Sequence, residues 1–598
     1  MMTKSLIAVE LSFSHCRRRT MFRRGDETEP VKMYAVLYQR LTTRRERLLA
    51  GGFFLLLSLI MWAHVWITGS PFRTLPCSCG DATVQVWWFE WIARAIATGA
   101  NPLFPPGLFA HLGTVNALAN TSDVSVGVIL TPLTWLAGPL MSANVANLLT
   151  PVLSALSAYC LAARLTESRV ARTVAGLLYG FSPYMIHFVE RGDTNLTLVI
   201  YLPLMLMAFD NLRRYRWSAR RTGLTMTAYT VLQFFTGTEF LLMAIMAIAT
   251  VLLAVTWWRR DVLIARVDAR IAAMWWLTTS ALLLSVPAWI ALLGPGHVEG
   301  ALWLASTTPP STLISHVILH KPDTATAWTG YLGFPGAQMN YIGIGALIIA
   351  LAGWGLVARR RLLAIWWLTA TVFVVAELSP ATWWVHLPIA KALIIQRFAV
   401  VVSLALALII ALVIDATTER LRVQWAPSVL APRLAVAAVV AVVLLPIATT
   451  YRFPLTVTSQ RTPVWFTKHA AEISPDTTVV VFPFPWIAMN ASMAWMAETG
   501  LHGKLVGGFA MVPGKDGKVS SMAAPTPTEN TLLFVSYGPR FIQPQQLRAL
   551  GVTLHRWAPT IVVVIRKHAS PDTITALTSI LGSPTSVADG ATVWNITT

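Results

Sequence analysis

Asp81 is the residue of this sequence whose type and setting most invite chemistry. It follows Gly80 in the run CSCGDATVQVWWFEW, where Trp87, Trp88 and Trp91 crowd a stretch short of charge. Residues 82–98 read as a helix lying at the membrane surface with its aromatics at headgroup depth; its strongly polar positions are Gln85, Glu90 and Arg94, and Asn101-Pro102 ends it. A carboxylate placed there can take a proton from a hydroxyl as a general base. It can equally cap the helix, a role Asp fills well, although the strict capping box fails because the third residue on is Val84. Arg397 opens an apolar stretch. Its guanidinium suits a bidentate grip on phosphate and equally suits an interfacial anchor that snorkels to water. Lys391 is a second cation for the same role. His187, Glu190, Asp193 and Asn195 crowd one short turn, Glu239 stands in another, and Asn116 follows Asp81 in the same segment. Gln85, Asn116, His187, Asp193, Asn195, Glu239 and Arg397 are therefore the substrate-binding candidates, against the plain alternative that turns are polar anyway. No HExxH, Ser-His-Asp signature, CxxC pair, GxxxxGK[ST] or GxGxxG occurs, so no metal ligand set or nucleotide site is legible.

The elements that must position these residues follow from composition. The chain has 598 residues, 55% hydrophobic and 12% charged, where an ordinary soluble protein carries roughly 25% charged residues. That excludes a soluble multidomain protein and intrinsic disorder, and four cysteines are too sparse for a disulfide scaffold. The composition is that of a polytopic α-helical membrane protein. Windows of about 20 apolar residues mark about eleven transmembrane helices near 48–68, 144–163, 170–188, 195–211, 222–237, 240–257, 271–294, 340–358, 362–378, 396–415 and 432–450. The net charge of +19 would point to nucleic acid in a soluble chain, but its distribution points to membrane topology instead. Basic clusters fall in alternate loops, at Arg164/Arg169/Arg172, Arg213–Arg221, Arg259–Arg270, Arg359–Arg361 and Arg420–Arg433. The opposite loops hold only Arg73, Arg94, Arg191, Lys321, Lys391 and Arg397. That separation survives only if the apolar stretch 124–140, with Pro132 and Pro139, is a re-entrant segment rather than a crossing. Residues 1–47 then form a cytoplasmic basic tail, not a cleaved leader. Residues 48–450 form the transmembrane domain with a long first outer loop at 69–123. Residues 451–598 lie outside as a C-terminal extracytoplasmic α/β domain, with β-branched runs TVVVF at 478–482 and IVVVI at 561–565.

The order of these features resembles the GT-C superfamily of integral-membrane glycosyltransferases, in particular a large bacterial group of polytopic proteins. The stretches that carry the resemblance are Gly80-Asp81 with Trp88 and Trp91, Asn101-Pro102, Asn120-Thr121-Ser122, Gly180-Phe181-Ser182-Pro183-Tyr184, Asn195-Leu196-Thr197, Arg397-Phe398 and VVVFPFP at 479–485. The resemblance implies a glycosyltransferase of the bacterial plasma membrane that moves a sugar from a polyprenyl-phosphate donor to an extracytoplasmic glycan or glycolipid acceptor. Membrane lipids, but not nucleic acid, are its implied partners. It also implies that Asp81 is the general base, or organises the donor phosphate through a divalent cation. Some members of the superfamily carry two adjacent acids at this place, where this chain has Gly80-Asp81. A lipid or polysaccharide transporter and a non-catalytic envelope assembly factor are the alternatives; a transporter would favour internal repeats and broken helices around a midplane site, and no clear repeat is visible.

The topology makes a direct prediction. In a background without the native cysteines, a cysteine at Ser520 should react with an impermeant reagent on intact cells and one at Ser218 should not. The reverse pattern, or equal labelling, contradicts the eleven-span reading.

Overall fold

The computed structural model describes residues 29–77, 80–112, 114–259, 266–299, 341–379, 393–424, 430–449, 451–487, 489–514, 517, 519–520, 526–537, 542–557 and 560–596. The chain divides after Gly52 into two compact units, and the second, 53–598, holds all the described elements beyond the first helix, α1 (Glu29–Met61).

A short strand β1 (Thr74–Leu75) precedes α2 (Gly80–Thr98). Then come α3 (Val124–Ala137), α4 (Pro139–Ala162), α5 (Arg169–Gly180), α6 (Pro183–Val189), α7 (Tyr201–Arg213), α8 (Ala219–Thr236), α9 (Thr238–Arg259), α10 (Val267–Leu292), α11 (Ile344–Leu356), α12 (Arg360–Leu378), α13 (Ala399–Gln424) and α14 (Leu430–Ala448). Among the described residues six segments are long and apolar enough to cross a membrane: Pro139–Ala162, Thr194–Arg213, Thr238–Trp257, Val267–Leu292, Ile395–Gln424 and Leu430–Ala448.

Two expectations change in the structure, those for 170–188 and for 82–98. The span expected at 170–188 is two helices, α5 and α6. The residue before a proline is pushed out of the helical region, and Ser182, extended at ψ 161°, caps α6 through the Met185 N–H with Pro183 in the first turn. The stretch expected to re-enter at 124–140 is the 14-residue helix α3, shorter than the about 20 residues a crossing needs. Gly138 (φ +83°) ends it, and α4 starts at once on Pro139. Helix α2, expected at the membrane surface with its aromatics at headgroup depth, is instead interior: Trp87, Trp88 and Phe89 are buried against protein, in one core with residues of α3, α4 and the C-terminal region.

Helix α13 is the axis of the bundle. Every residue from Ala399 to Ile414 except Ser403 is buried, as befits a helix that is apolar all round, and it packs against α5, α11, α12 and α14. Helix α10 is the opposite case. Only Ala272 and Ile290 are buried, while Leu277, Leu282, Leu283, Val286 and Trp289 are exposed, a face suited to lipid.

The C-terminal part begins with β2 (Thr458–Ser459), antiparallel to β1, and α15 (Val464–His469). Strand β3 (Thr478–Phe482), α16 (Ala491–Glu498), β4 (Lys504–Leu505), β5 (Val512–Pro513) and β6 (Val519–Ser520) follow, then α17 (Pro527–Tyr537), α18 (Pro544–Arg556), β7 (Thr560–Ile565), α19 (Pro571–Leu581), β8 (Ser586–Ala588) and β9 (Ala591–Ile596). Five strands make one mixed sheet in the order β4-β3-β7-β9-β8, with β3 parallel to β4 and β7, and β9 antiparallel to β7 and β8. The unbroken apolar runs of β3 and β7 are explained by burial on both faces. Successive side chains alternate: Val480, Phe482, Val562, Val564 and Trp594 join Leu532, Leu554 and Leu577 of α17, α18 and α19. Val479, Val481, Val563, Ile565 and Val593 join the core that holds Trp465, Trp495 and the tryptophans of α2.

One face of the sheet thus shares its core with α2, outside the C-terminal segment. Residues 451–598 expressed alone should bind an apolar-surface dye and melt below the full-length protein. A segment that is monodisperse, free of dye and as stable as the whole chain would show that α2 is dispensable for this core.

Candidate active site

The first turn of α2 is built by residues far away in sequence. Gly80 N–H donates to the Ile487 carbonyl (3.2 Å), Asn490 Nδ2 donates to the Gly80 carbonyl (3.0 Å), and the Thr83 hydroxyl donates to Asn490 Oδ1. The helix starts at Gly80, so Asp81 lies inside its first turn rather than ahead of it as a cap. A carboxylate in a first turn still favours the helix dipole. Among the described residues Asp81 Oδ1 is buried with no hydrogen-bond partner, so the side chain is not consumed by capping at that oxygen.

A turn between α6 and α7 is brought against this helix start. Gly192 has φ +75°, and a Cβ built there would stand 2.8 Å from the Cβ of Ala82, so only glycine permits the approach. Asp193 is carried next to Asp81. It is 1% exposed, and Arg191 Nε contacts its Oδ2 at 3.3 Å. Burial first, then repulsion from Asp81, holds the Asp193 carboxyl well above the usual range, with a loose hydrogen bond to Asp81 adding to the rise and Arg191 and Arg397 opposing it. Oδ1 of each acid is unpartnered among the described residues.

A third acid, Asp123, closes the group. It precedes α3 in the left-handed region (φ +45°), which Asp tolerates better than most residues. Its side chain does not cap α3; Oδ2 accepts from the Thr194 hydroxyl, which ties the α3 head to the Asp193 turn. Burial, and less so the Asp81 charge, pushes its carboxyl up to about 8, with the Thr194 bond and nearby Gln85 acting the other way.

Cations stand on the far side. Arg397, in a tight turn at 395–398 that leads into α13, donates to Glu239 Oε2, while Glu239 Oε1 accepts from the Ile394 N–H at 2.8 Å. The guanidinium lies 5.7 Å from the centre of the Phe188 ring, within the reach of a cation–π contact. Arg397 and Arg191 both act electrostatically on His187, which is buried edge-to-face on Phe188 at 4.9 Å, with Nε2 unpartnered among the described residues. Asp81, Gln85, His187, Asp193, Glu239 and Arg397 are therefore gathered at one place. Asn195 lies on the same turn, with Oδ1 buried and unpartnered. Asn116 is committed elsewhere: its amide donates to the Ile290 and Pro295 carbonyls (2.9 and 3.0 Å) and its Oδ1 accepts from Leu118. Lys391 lies outside the described residues. Sequence reasoning missed Asp123 and Thr194. The only signal was an acid, after Asn120-Thr121-Ser122, at the brink of an apolar run.

The arrangement can accept a proton at Asp81 and present guanidinium groups to an anion. Among the described residues no group of three His, Cys, Asp or Glu side chains is placed to hold a metal ion.

No protein-family model and no curated protein matches the sequence. Among solved structures, the arabinofuranosyltransferase AftD from Mycobacteria superposes with a TM-score of 0.54 at 13% identity, over 93% of this chain and 42% of its own. This chain thus spans less than half the length of that protein. ArnT from Cupriavidus metallidurans (TM-score 0.46, 13% identity, 94% of this chain and 98% of its own) and the Archaeoglobus fulgidus oligosaccharyltransferase with a tethered acceptor peptide (0.47, 11%, 90% and 71%) align too weakly to add to the assignment. The fold is therefore shared with that arabinofuranosyltransferase.

Proposed function

We propose that this protein is a membrane glycosyltransferase that transfers a sugar from a polyprenyl-phosphate donor to an extracytoplasmic glycan or glycolipid, with Asp81 as general base. The observation that carries this reading is the buried, unpartnered oxygen of Asp81, set beside Asp193, on whose carboxyl Arg191 and Arg397 act. The acceptor hydroxyl attacks the anomeric carbon, the carbon–oxygen bond to phosphate breaks, and the acceptor proton passes to Asp81. The phosphate leaves as a stable anion and needs no general acid. Arg397, oriented by Glu239, and Arg191 are the cations placed to meet its charge. His187 and Asn195 would contact the sugar. A fold shared with an arabinofuranosyltransferase supports transferase chemistry, and the exposed apolar face of α10 supports a place in the membrane. The topology that goes with it puts the N-terminus in the cytoplasm and residues 451–598 outside the bacterial plasma membrane.

Two variants test the roles. Asp81→Asn keeps shape and removes basicity, so turnover should fall by about 10²-fold or more at unchanged melting temperature. Wild-type turnover in that variant would remove Asp81 from the mechanism. Arg397→Lys replaces a fork by a point charge and should raise the donor KM; unchanged donor kinetics would leave Arg397 only its structural pairing with Glu239.

A further inference from the structure

Gln85 and Asp123 share an anomaly. Gln85 is 0% exposed, and both its amide oxygen and its amide nitrogen lack a hydrogen-bond partner among the described residues. Asp123 is 1% exposed, and its Oδ1 is likewise unpartnered. A buried polar group without a partner costs stability, so three such atoms in one place call for an explanation. The two side chains are close enough to influence one another, yet they make no bond of ordinary geometry. Which end of a glutamine amide is oxygen is an assignment made from the surrounding bonds.

Among the described residues no cation offsets Asp123. The titratable groups that face it are Asp81 on α2 and Tyr201 on α7, with Asp193 and Arg191 on the adjoining turn. Arg191 contacts Asp193 and Arg397 is held by Glu239, and among the described residues no basic side chain pairs with Asp123. An ionised carboxylate there would have the Thr194 hydroxyl and one end of the Gln85 amide, short of ordinary bond geometry, for partners and another acid for a neighbour. A proton on Oδ1 removes the charge and supplies the donor that the Gln85 amide oxygen lacks.

We propose that Asp123 is a positioning residue that works as a neutral carboxylic acid: its proton bridges Oδ1 to the Gln85 amide oxygen while Oδ2 accepts from Thr194. The bridge pins α2 with Asp81, and the turn with Asp193, to the head of α3 without placing a further negative charge beside the base. The upward push on the Asp123 carboxyl by burial agrees with this. The positioning role rests on the proposed transferase reaction; the protonation does not.

The test uses the full chain in detergent or lipid, with Asp123→Asn as an isosteric neutral mimic. The infrared difference between wild type and Asp123→Asn at pH 7 should show a protonated-carboxyl carbonyl band in the wild type, replaced by carboxylate bands as the pH passes about 8. Carboxylate bands already present at pH 7 would overturn the proposal. Melting temperature gives a second readout. A carboxyl whose proton is held more tightly in the folded than in the unfolded chain costs stability as pH rises from the unfolded value, 3.8, to the folded one, about 8. Wild type should therefore lose stability relative to Asp123→Asn across that window, and parallel curves would count against the neutral acid. In transfer assays Asp123→Asn should keep most of the turnover at pH 7 and Asp123→Ala should lose about tenfold or more, the scale of leaving buried polar groups unpaired. A collapse of turnover in Asp123→Asn at normal melting temperature would show that the charge itself is needed. A wild-type protein inactive towards every donor would overturn the transferase reading, and the infrared difference would still decide the protonation.

Discussion

The structure turns on burying acids where they can do work. Asp81, Asp123 and Asp193 come from three separated parts of the chain and meet where the helices join the C-terminal sheet. Like charges in a low-dielectric site cannot all ionise. The fold answers with Arg191 against Asp193 and with the Arg397–Glu239 pair close by. The approach itself hinges on Gly192, because any side chain at φ +75° would be strained and would strike Ala82.

The second constraint is the burial of α2. Its tryptophans and Phe89 need cover on every side, and they obtain it from α3 and α4 on one flank and from the sheet region, through Trp465, Trp495 and Met496, on another. The same region fixes the first turn through Ile487 and Asn490. The C-terminal part is therefore structurally continuous with the candidate site, and the β1–β2 pairing ties it to the same loop.

Much of this was legible in the sequence, for identifiable reasons. Polar residues stand out in a chain so apolar, so Asp81, Gln85, His187, Asp193, Glu239 and Arg397 could be picked out singly. Their mutual positions could not: Arg397 and Glu239 are 158 residues apart, and no local spacing encodes that pair. Asp123 was invisible because an acid after Asn-Thr-Ser, just before an apolar run, reads as a helix start. Helix α2 was misplaced because aromatics suit a membrane interface and a protein core alike, and only the partners decide. The break at Ser182-Pro183 was written in the sequence, but an otherwise continuous apolar window hid it.

The proposed reaction is transfer of sugar from a lipid-linked donor at this site. The most direct measurement is incorporation of label when the purified full-length protein is given a panel of polyprenyl-phosphate sugars, labelled in the sugar, with cell-envelope glycans or glycolipids as acceptors. Time-dependent transfer to an acceptor with release of polyprenyl phosphate is the expected result. A folded protein that binds these donors, or moves them across a bilayer, without breaking the bond between sugar and phosphate would contradict it.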